Sequence, residues 1–196
     1  MMTVTNEVVM DFFCGSKGTP IQKCAGAAYR DLRRTLRGIR YQEFKKQYID
    51  DVCTLIEECV NDLMNRIELE QDDFDEWHIK TCEGIVEASS KYEFHTDHGQ
   101  AQKWLNMTFK YMLLFNQEIG FQHYLHVPID QYILNGAKRD LEVNRPPNAP
   151  HAWSKWQADD YMSYQIDIRK KIAENRYESP IAWEFEVWPK YKGELS

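Results

Sequence analysis

The stretch that decides the fold is residues 99–106, which read Gly99-Gln100-Ala101-Gln102-Lys103-Trp104-Leu105-Asn106. Its apolar positions recur at intervals of three and four and continue to Phe115, which is the period of an α-helix rather than a strand. A second stretch, His126-Val127-Pro128-Ile129-Asp130, has a proline that cannot lie inside a helix, followed by an aspartate suited to a helix N-cap. The two stretches predict two helices whose starts carry a lysine and an aspartate.

The remainder of the chain has the same helical period, and no segment shows sustained period-two alternation. The spacing predicts five further helices. The first begins at Thr19-Pro20 and runs toward Gly38, the second covers residues 44–67, and the third begins at Asp72-Asp73. The last two cover residues 159–176 and residues 181–188, and the final one ends at Pro189. We expect the long helix over 44–67 to be the central one. The predicted fold class is therefore all-α, a compact bundle of seven to eight helices.

Length and composition bound the organisation of the protein. A chain of 196 residues with 43% hydrophobic content is predicted to form a single all-α domain over residues 1–196; the alternative is a small lobe made by residues 1–70 packed on residues 71–196. The five cysteines are odd in number and lack C-x-x-C spacing, which argues against a disulfide framework or a zinc ribbon. No window approaches the length of apolar sequence that crosses a bilayer. We expect a soluble, cytoplasmic protein with no membrane partner and no cofactor.

Charge is distributed unevenly along the chain. The net charge is −7, yet residues 1–50 hold nine Lys and Arg against five Asp and Glu, whereas residues 51–100 hold three against fourteen. The basic excess lies between Arg30 and Lys46, and the acidic excess lies between Asp50 and Asp97. Such a dipolar surface predicts steering of an anionic ligand to one side of the molecule. The alternative is that both segments are solvated helix faces.

Gly99, Lys103 and Asn106, taken with Val127-Pro128-Ile129-Asp130, resemble the catalytic stretch of the helix-hairpin-helix DNA glycosylase superfamily. In that family, a Gly-x-Gly-x-Lys turn enters a helix, and a later segment carries an aspartate. The resemblance covers about 35 of the 196 residues. It implies a glycosylase-like architecture that binds DNA, a nucleobase or a nucleoside, with base excision as the implied activity.

The resemblance also implies roles for individual residues. Lys103 would be the amine nucleophile of an N-glycosylase and abasic-site lyase, and Asp130 would assist it. The implied substrate-binding residues around the displaced base are Gln102, Asn106, Trp104, Trp153 and Trp156. The implied phosphate-binding residues are Gly99, Arg33 and Arg37.

Simpler interpretations of the same residues remain open. Asp130 after Pro128 is also what a helix cap looks like, and Lys103 can simply be solvated. The protein is then a non-enzymatic all-α interaction protein whose acidic surface, residues 57–76, meets a basic protein partner or a second copy of the chain. In a third interpretation, a metal ion binds the histidines of two i, i+3 pairs, which are His95, His98, His123 and His126. Neither pair belongs to a known metal motif, so no metal site is predicted.

Overall fold

The structure is a computed structural model that describes residues 5–36, 43–92 and 94–194. It confirms the all-α class: the described residues form eight α-helices and no strand. The helices are α1 (Asn6–Cys14), α2 (Pro20–Leu32), α3 (Lys45–Met64), α4 (Gln71–Ser90), α5 (His98–Leu114), α6 (Gln131–Asp140), α7 (Ala158–Glu174) and α8 (Pro180–Glu194). Two short 3-10 helices, Gln122–Tyr124 and Trp153–Lys155, lie in the connections. No helix in these ranges has both the length and the apolarity that a bilayer crossing requires.

The central helix is α5, so the prediction that the helix over 44–67 is central was wrong. In α5, 14 of the 17 residues are buried, because it packs against α2, α4, α7 and the 3-10 helix at Trp153. The longer helix α3 packs only on one side and keeps a polar outer face. A long helix with a regular apolar stripe on one face is typical of the protein surface, whereas a central helix is buried on all sides.

Several helix boundaries differ from those that the spacing predicts. Helix α1 was not predicted, and α2 ends at Leu32 rather than near Gly38, which lies outside the described residues. The last helix continues through Pro189 to Glu194, so the predicted end at Pro189 was wrong. Its residues on both sides of the proline pack on α6, because Val187 and Tyr191 are buried against Gly136, and this burial outweighs the hydrogen bond that proline removes.

The buried apolar residues form two clusters that follow one another along the chain. The first is built mainly from α2, α3, α4 and α5, and the second from residues 127–191 of α6, α7, α8 and their connections. Of residues 1–70, those that the structure describes share their cluster with α4 and α5. The junction between the two clusters lies where α5 meets the segment before α6, which is where the candidate site is found.

Candidate functional site

A cleft of about 740 Å³ opens between the C-terminal end of α2, one side of α5, the start of α6, and α8. Its charged lining is mostly basic: six cationic side chains face two carboxylates. The cations are Arg30, Arg33, Arg34, Lys103, Lys110 and Lys192, and the carboxylates are Asp31 and Asp130. Its aromatic lining consists of Tyr111, Tyr132, Trp153 and Trp188.

Lys103 and Asp130 lie together in this lining. The ammonium of Lys103 donates to Oδ2 of Asp130 at 2.7 Å and to the carbonyl of Pro128 at 3.4 Å. The side chains are only 6% and 12% exposed, respectively, so the alternative of a solvated Lys103 is wrong. Lys103 is also the sixth residue of α5 rather than part of its first turn, because the helix begins at His98.

Asp130 has four hydrogen-bond donors around one carboxylate. Its Oδ1 accepts the backbone N–H groups of Tyr132 and Ile133 at 2.9 and 3.0 Å, which is the N-cap of α6. Its Oδ2 accepts Lys103 and, at 3.1 Å, the indole N–H of Trp188. Burial raises the pKa of Asp130, but the Lys103 charge and these hydrogen bonds outweigh it, so the pKa lies below its usual value. The carboxylate is therefore ionised and is both a cap and an ion-pair partner.

A second buried ion pair lies beside the first. Lys110, two turns after Lys103 on α5, has its Nζ 2.7 Å from the carboxylate of Glu184, which is completely buried. The same ammonium lies 4.9 and 5.0 Å from the ring centroids of Phe185 and Trp188, within the range of a cation–π contact. Burial raises the pKa of Glu184, although Lys110 acts in the opposite direction.

The arginines at the end of α2 are solvent-facing cations of the cleft, as is Lys192 of α8. Arg33 and Arg34 are exposed and have no side-chain partner among the residues that the structure describes. Arg37, the other predicted phosphate-binding arginine, lies outside the described residues. Arg33 lies at the rim of the cleft, and its role as a phosphate contact stays a prediction.

Gly99 contributes to packing rather than to an open phosphate-binding turn. Its N–H donates to the carbonyl of Trp156 at 2.9 Å, so this amide has no free hydrogen to offer a ligand. A Cβ at this position would come within 2.1 Å of the Trp153 carbonyl oxygen. The glycine allows the start of α5 to touch the 3-10 helix that carries Trp153, and so it helps to position one wall of the cleft.

Gln102 and Asn106 are buried behind the cleft and do not line it. The amide of Gln102 donates to the carbonyls of Gly99 and Ile129 at 2.9 and 3.0 Å and accepts from the N–H of Ile129. Asn106 donates to Gln102 and to the Tyr161 hydroxyl at 3.1 and 2.8 Å. These amides hold the segment before α6 against α5, and this contact brings Asp130 to Lys103.

Only one of the three predicted tryptophans reaches the cleft. Trp104 and Trp156 are almost fully buried in the core, where their indole N–H groups donate to the carbonyls of Ala25 and Pro150. Their large apolar rings were drawn into the two core clusters, so neither is placed to contact a ligand. Trp153 lies in the cleft lining and is partly buried.

A buried polar chain next to the site was not predicted from the sequence. His126 lies 2.9 Å from the Tyr161 hydroxyl through Nδ1 and 2.8 Å from Asp75 through Nε2. Nε2 of His78 lies 2.8 Å from Oδ1 of Asn106, and the guanidinium of Arg169 donates to both carboxylate oxygens of Asp75. Burial lowers the pKa of both histidines, so each is neutral. A neutral imidazole donates one hydrogen bond and accepts one, so all the hydrogen bonds of the chain can run in the same direction and give each of its side chains a partner. Only tertiary contacts bring these residues together, from α4, α5, α7 and the segment before α6.

The four histidines considered as metal ligands do not converge on one point with other ligands. His95 pairs with Asp97, His98 packs on the Tyr161 ring, His123 packs on Tyr124, and His126 belongs to the buried chain. Among the described residues, no three His, Cys, Asp or Glu side chains converge as metal ligands would.

The acidic segment 57–76 lies on α3, α4 and the turn between them. Asp75 is turned inward to Arg169, and Glu57 accepts hydrogen bonds from Thr19 and Gln22 of α2. The exposed carboxylates of the segment are Glu58, Asp62, Glu68, Glu70, Asp72, Asp73 and Glu76.

Compared with known protein families, with curated proteins and with solved structures, the chain has no match in any of the three. The glycosylase resemblance of residues 99–132 therefore remains a prediction from those residues.

Proposed function

We propose that this protein binds nucleic acid and that the basic cleft receives one nucleotide unit of it. The observation that carries the proposal is the lining of the cleft, where four exposed cations lie beside the partly buried Trp153; these cations are Arg30, Arg33, Arg34 and Lys192. The other two cations of the lining, Lys103 and Lys110, are already paired with carboxylates. Phosphate oxygens bind Arg and Lys, and a base stacks on an aromatic face. Arg33 and Arg34 at the rim contact the phosphates, and Trp153 contacts the base.

This geometry favours binding of nucleic acid at the cleft over non-specific electrostatic binding across the whole protein surface. The whole protein is acidic, so a polyanion is attracted only to the local basic cleft and is repelled from α3 and α4. A cavity of about 740 Å³ is within the range that holds a small organic ligand, and it is large enough for a nucleotide.

The test is fluorescence anisotropy with a labelled ten-nucleotide DNA, using Arg33→Ala/Arg34→Ala as the variant. Both side chains are exposed, so we expect the variant to fold and to bind at least tenfold more weakly. The slope of log K against log salt should fall by roughly 1.4, since each phosphate contact on a single strand contributes about 0.7. The matched control is Lys170→Ala/Lys171→Ala on α7, which removes two charges away from the cleft. Equal losses in the two variants would contradict the proposal.

A second candidate function is base excision, and the contact between Lys103 and Asp130 at the cleft favours it. In this reaction the ammonium of Lys103 first gives up a proton. The amine then bonds to the anomeric carbon while the glycosidic bond breaks, and the base leaves with the bonding electrons and takes up a proton. Loss of the amine proton and opening of the sugar ring yield an imine. The lowered pKa of Asp130 makes this carboxylate a weak acceptor for the first proton, and we therefore rank binding first.

Borohydride reduces such an imine to a stable crosslink, so trapping on abasic-site DNA tests the reaction. A crosslink should form with the native protein and disappear in Lys103→Ala, while Lys192→Ala, which removes another lysine of the same cleft, should retain it. Absence of a crosslink in the native protein would leave binding as the only function proposed for the cleft.

A further inference from the structure

We propose that the ligand is single-stranded and that its unpaired bases stack on Phe12 and Phe13 of α1, next to the basic cleft. This inference rests on the proposed function and adds the class of nucleic acid and a second contact surface. The two side chains are 83% and 61% exposed, which is unusual for phenylalanine in a folded chain. Their rings form an edge-to-face pair with centroids 5.2 Å apart.

The rings are presented by a helix that is held in place from its other side. Met10 of α1 is buried in the first core cluster. Asp11 accepts from the ammonium of Lys23 on α2 at 2.6 Å, and Thr5 caps the start of the helix. With Met10 and Asp11 directed at the rest of the protein, Phe12 faces solvent on an ordered element, as a stacking residue requires.

The aromatic surface of α1 meets the cleft at Arg30. Arg30, which lines the cleft, donates to the carbonyl of Phe13 at 2.6 Å. The Phe13 ring lies 6.5 Å from that of Phe115, which stacks at 6.3 Å on Tyr111 in the cleft wall. Because Phe115 is buried, the exposed route from the rings of α1 to the cleft runs over Arg30.

The chemistry of this path fits an unpaired strand. In a duplex, the faces of the bases are covered by their neighbours, so exposed phenylalanine rings have nothing to stack on; in a single strand, the faces are available. Arg30, Arg33 and Arg34 supply the charge that a phosphate backbone needs. A lipid surface would suit exposed phenylalanines too, but it is flat and cannot enter the concave cleft that holds Trp153.

The experiment compares three probes: thymidine monophosphate, a ten-residue oligothymidylate, and a ten-base-pair duplex. We expect the native protein to prefer the oligothymidylate over the duplex. Phe12→Ala/Phe13→Ala should weaken oligothymidylate binding by about tenfold, in line with the usual effect of losing a stacked base, and leave monophosphate binding unchanged. Ile166→Ala on α7 is the control, since it removes an apolar side chain that is 52% exposed and lies on a different helix, outside the cleft lining.

The outcomes separate this inference from the proposed function. If the monophosphate and the oligothymidylate bind but the phenylalanine variant is unaffected, or the duplex binds equally well, the α1 surface is not a stacking site and only this inference fails. If neither probe binds the native protein, the proposed function fails first. If the native protein binds vesicles of anionic lipid and the phenylalanine variant loses that binding while keeping the oligothymidylate, the surface is a lipid contact and the inference is overturned.

Discussion

The ammonium of Lys103 lies 2.7 Å from Oδ2 of Asp130, although 27 positions separate the two residues along the chain. The pair is nearly buried and also forms part of the wall of the basic cleft. It therefore joins the start of α6 to the central helix α5 within the wall of the cleft.

A double-mutant cycle measures the structural effect of this pair. Asp130→Asn keeps an oxygen for the cap but leaves the buried Lys103 ammonium without its carboxylate, so we expect a loss of about 3–5 kcal/mol in the free energy of unfolding. In the Lys103→Met/Asp130→Asn variant, no buried charge is left unpaired, and part of that loss should be recovered. Urea denaturation at pH 7 gives the values. Strictly additive losses would show that the two side chains are not coupled.

Acid should unfold the protein at a higher pH than its carboxylates alone would dictate. Burial lowers the pKa of His78 and His126, and that of His98 to about 4. Between the unfolded value of about 6.5 and these native values, the unfolded chain binds more protons, so stability is lost as the pH falls through this window. His98 alone accounts for about 3 kcal/mol between pH 6.5 and pH 4.

The measurement is the free energy of unfolding at a series of pH values. In His98→Asn, the dependence on pH below 6 should be shallower by roughly 1.4 kcal/mol per pH unit, which corresponds to one proton fewer. Replacement of the exposed His151 serves as the control. A native protein whose stability is constant from pH 7 to pH 5 would exclude buried neutral histidines as the source.

Gly99 should tolerate no side chain. Gly99→Ala would place a Cβ 2.1 Å from the backbone oxygen of Trp153, so α5 and the 3-10 helix must move apart, and we expect a lower melting temperature and weaker ligand binding. Gly26→Ala in α2 is the matched control, because a Cβ there meets nothing within 4 Å and alanine favours a helix by about 1 kcal/mol. Thermal unfolding should therefore shift in opposite directions for the two variants.

The Tyr161 hydroxyl should contribute to stability, whereas the Tyr164 hydroxyl should not. Tyr161→Phe leaves Nδ1 of the buried His126 without its partner, which predicts a loss of about 1–3 kcal/mol. The Tyr164 hydroxyl is buried with no hydrogen-bond partner among the described residues, so Tyr164→Phe should be neutral or stabilising. Chemical denaturation of the two variants, which remove the same atom from the same helix, provides a direct comparison.

Local sequence was a good guide to the helices that have clear caps and periodic faces. Thr19 before Pro20 and Asp130 after Pro128 mark helix starts that the structure confirms. The prediction that the last helix ends at Pro189 was wrong, because the packing of the residues on either side of a proline decides whether a helix continues through it. The short helix α1 was missed, since one buried residue, Met10, leaves no period to detect.

The candidate site was only partly accessible to sequence. Lys103 and Asp130 were recognised, and their contact in the cleft fits the predicted pairing, but Gln102, Asn106, Trp104 and Trp156 lie in the interior. A sequence pattern cannot tell an amide that binds a ligand from one that satisfies a buried carbonyl, because both need the same polar group on the same helix face. Lys110 and the arginines Arg30, Arg33 and Arg34 line the cleft only through the packing of α8 and α2 on α5, and the same packing pairs Lys110 with the buried Glu184.

The amino-acid sequence by itself determined the all-α class, most of the helix starts and the uneven distribution of charge, because period, caps and charge are local properties. Which helix became central, which aromatic rings stayed near solvent, and how the positive charges gathered in one cleft were decided by tertiary structure. The physical reason is that burial depends on what lies opposite a residue. Lys103 is a cleft residue only because Gln102 and Asn106 hold the Asp130 segment against its helix.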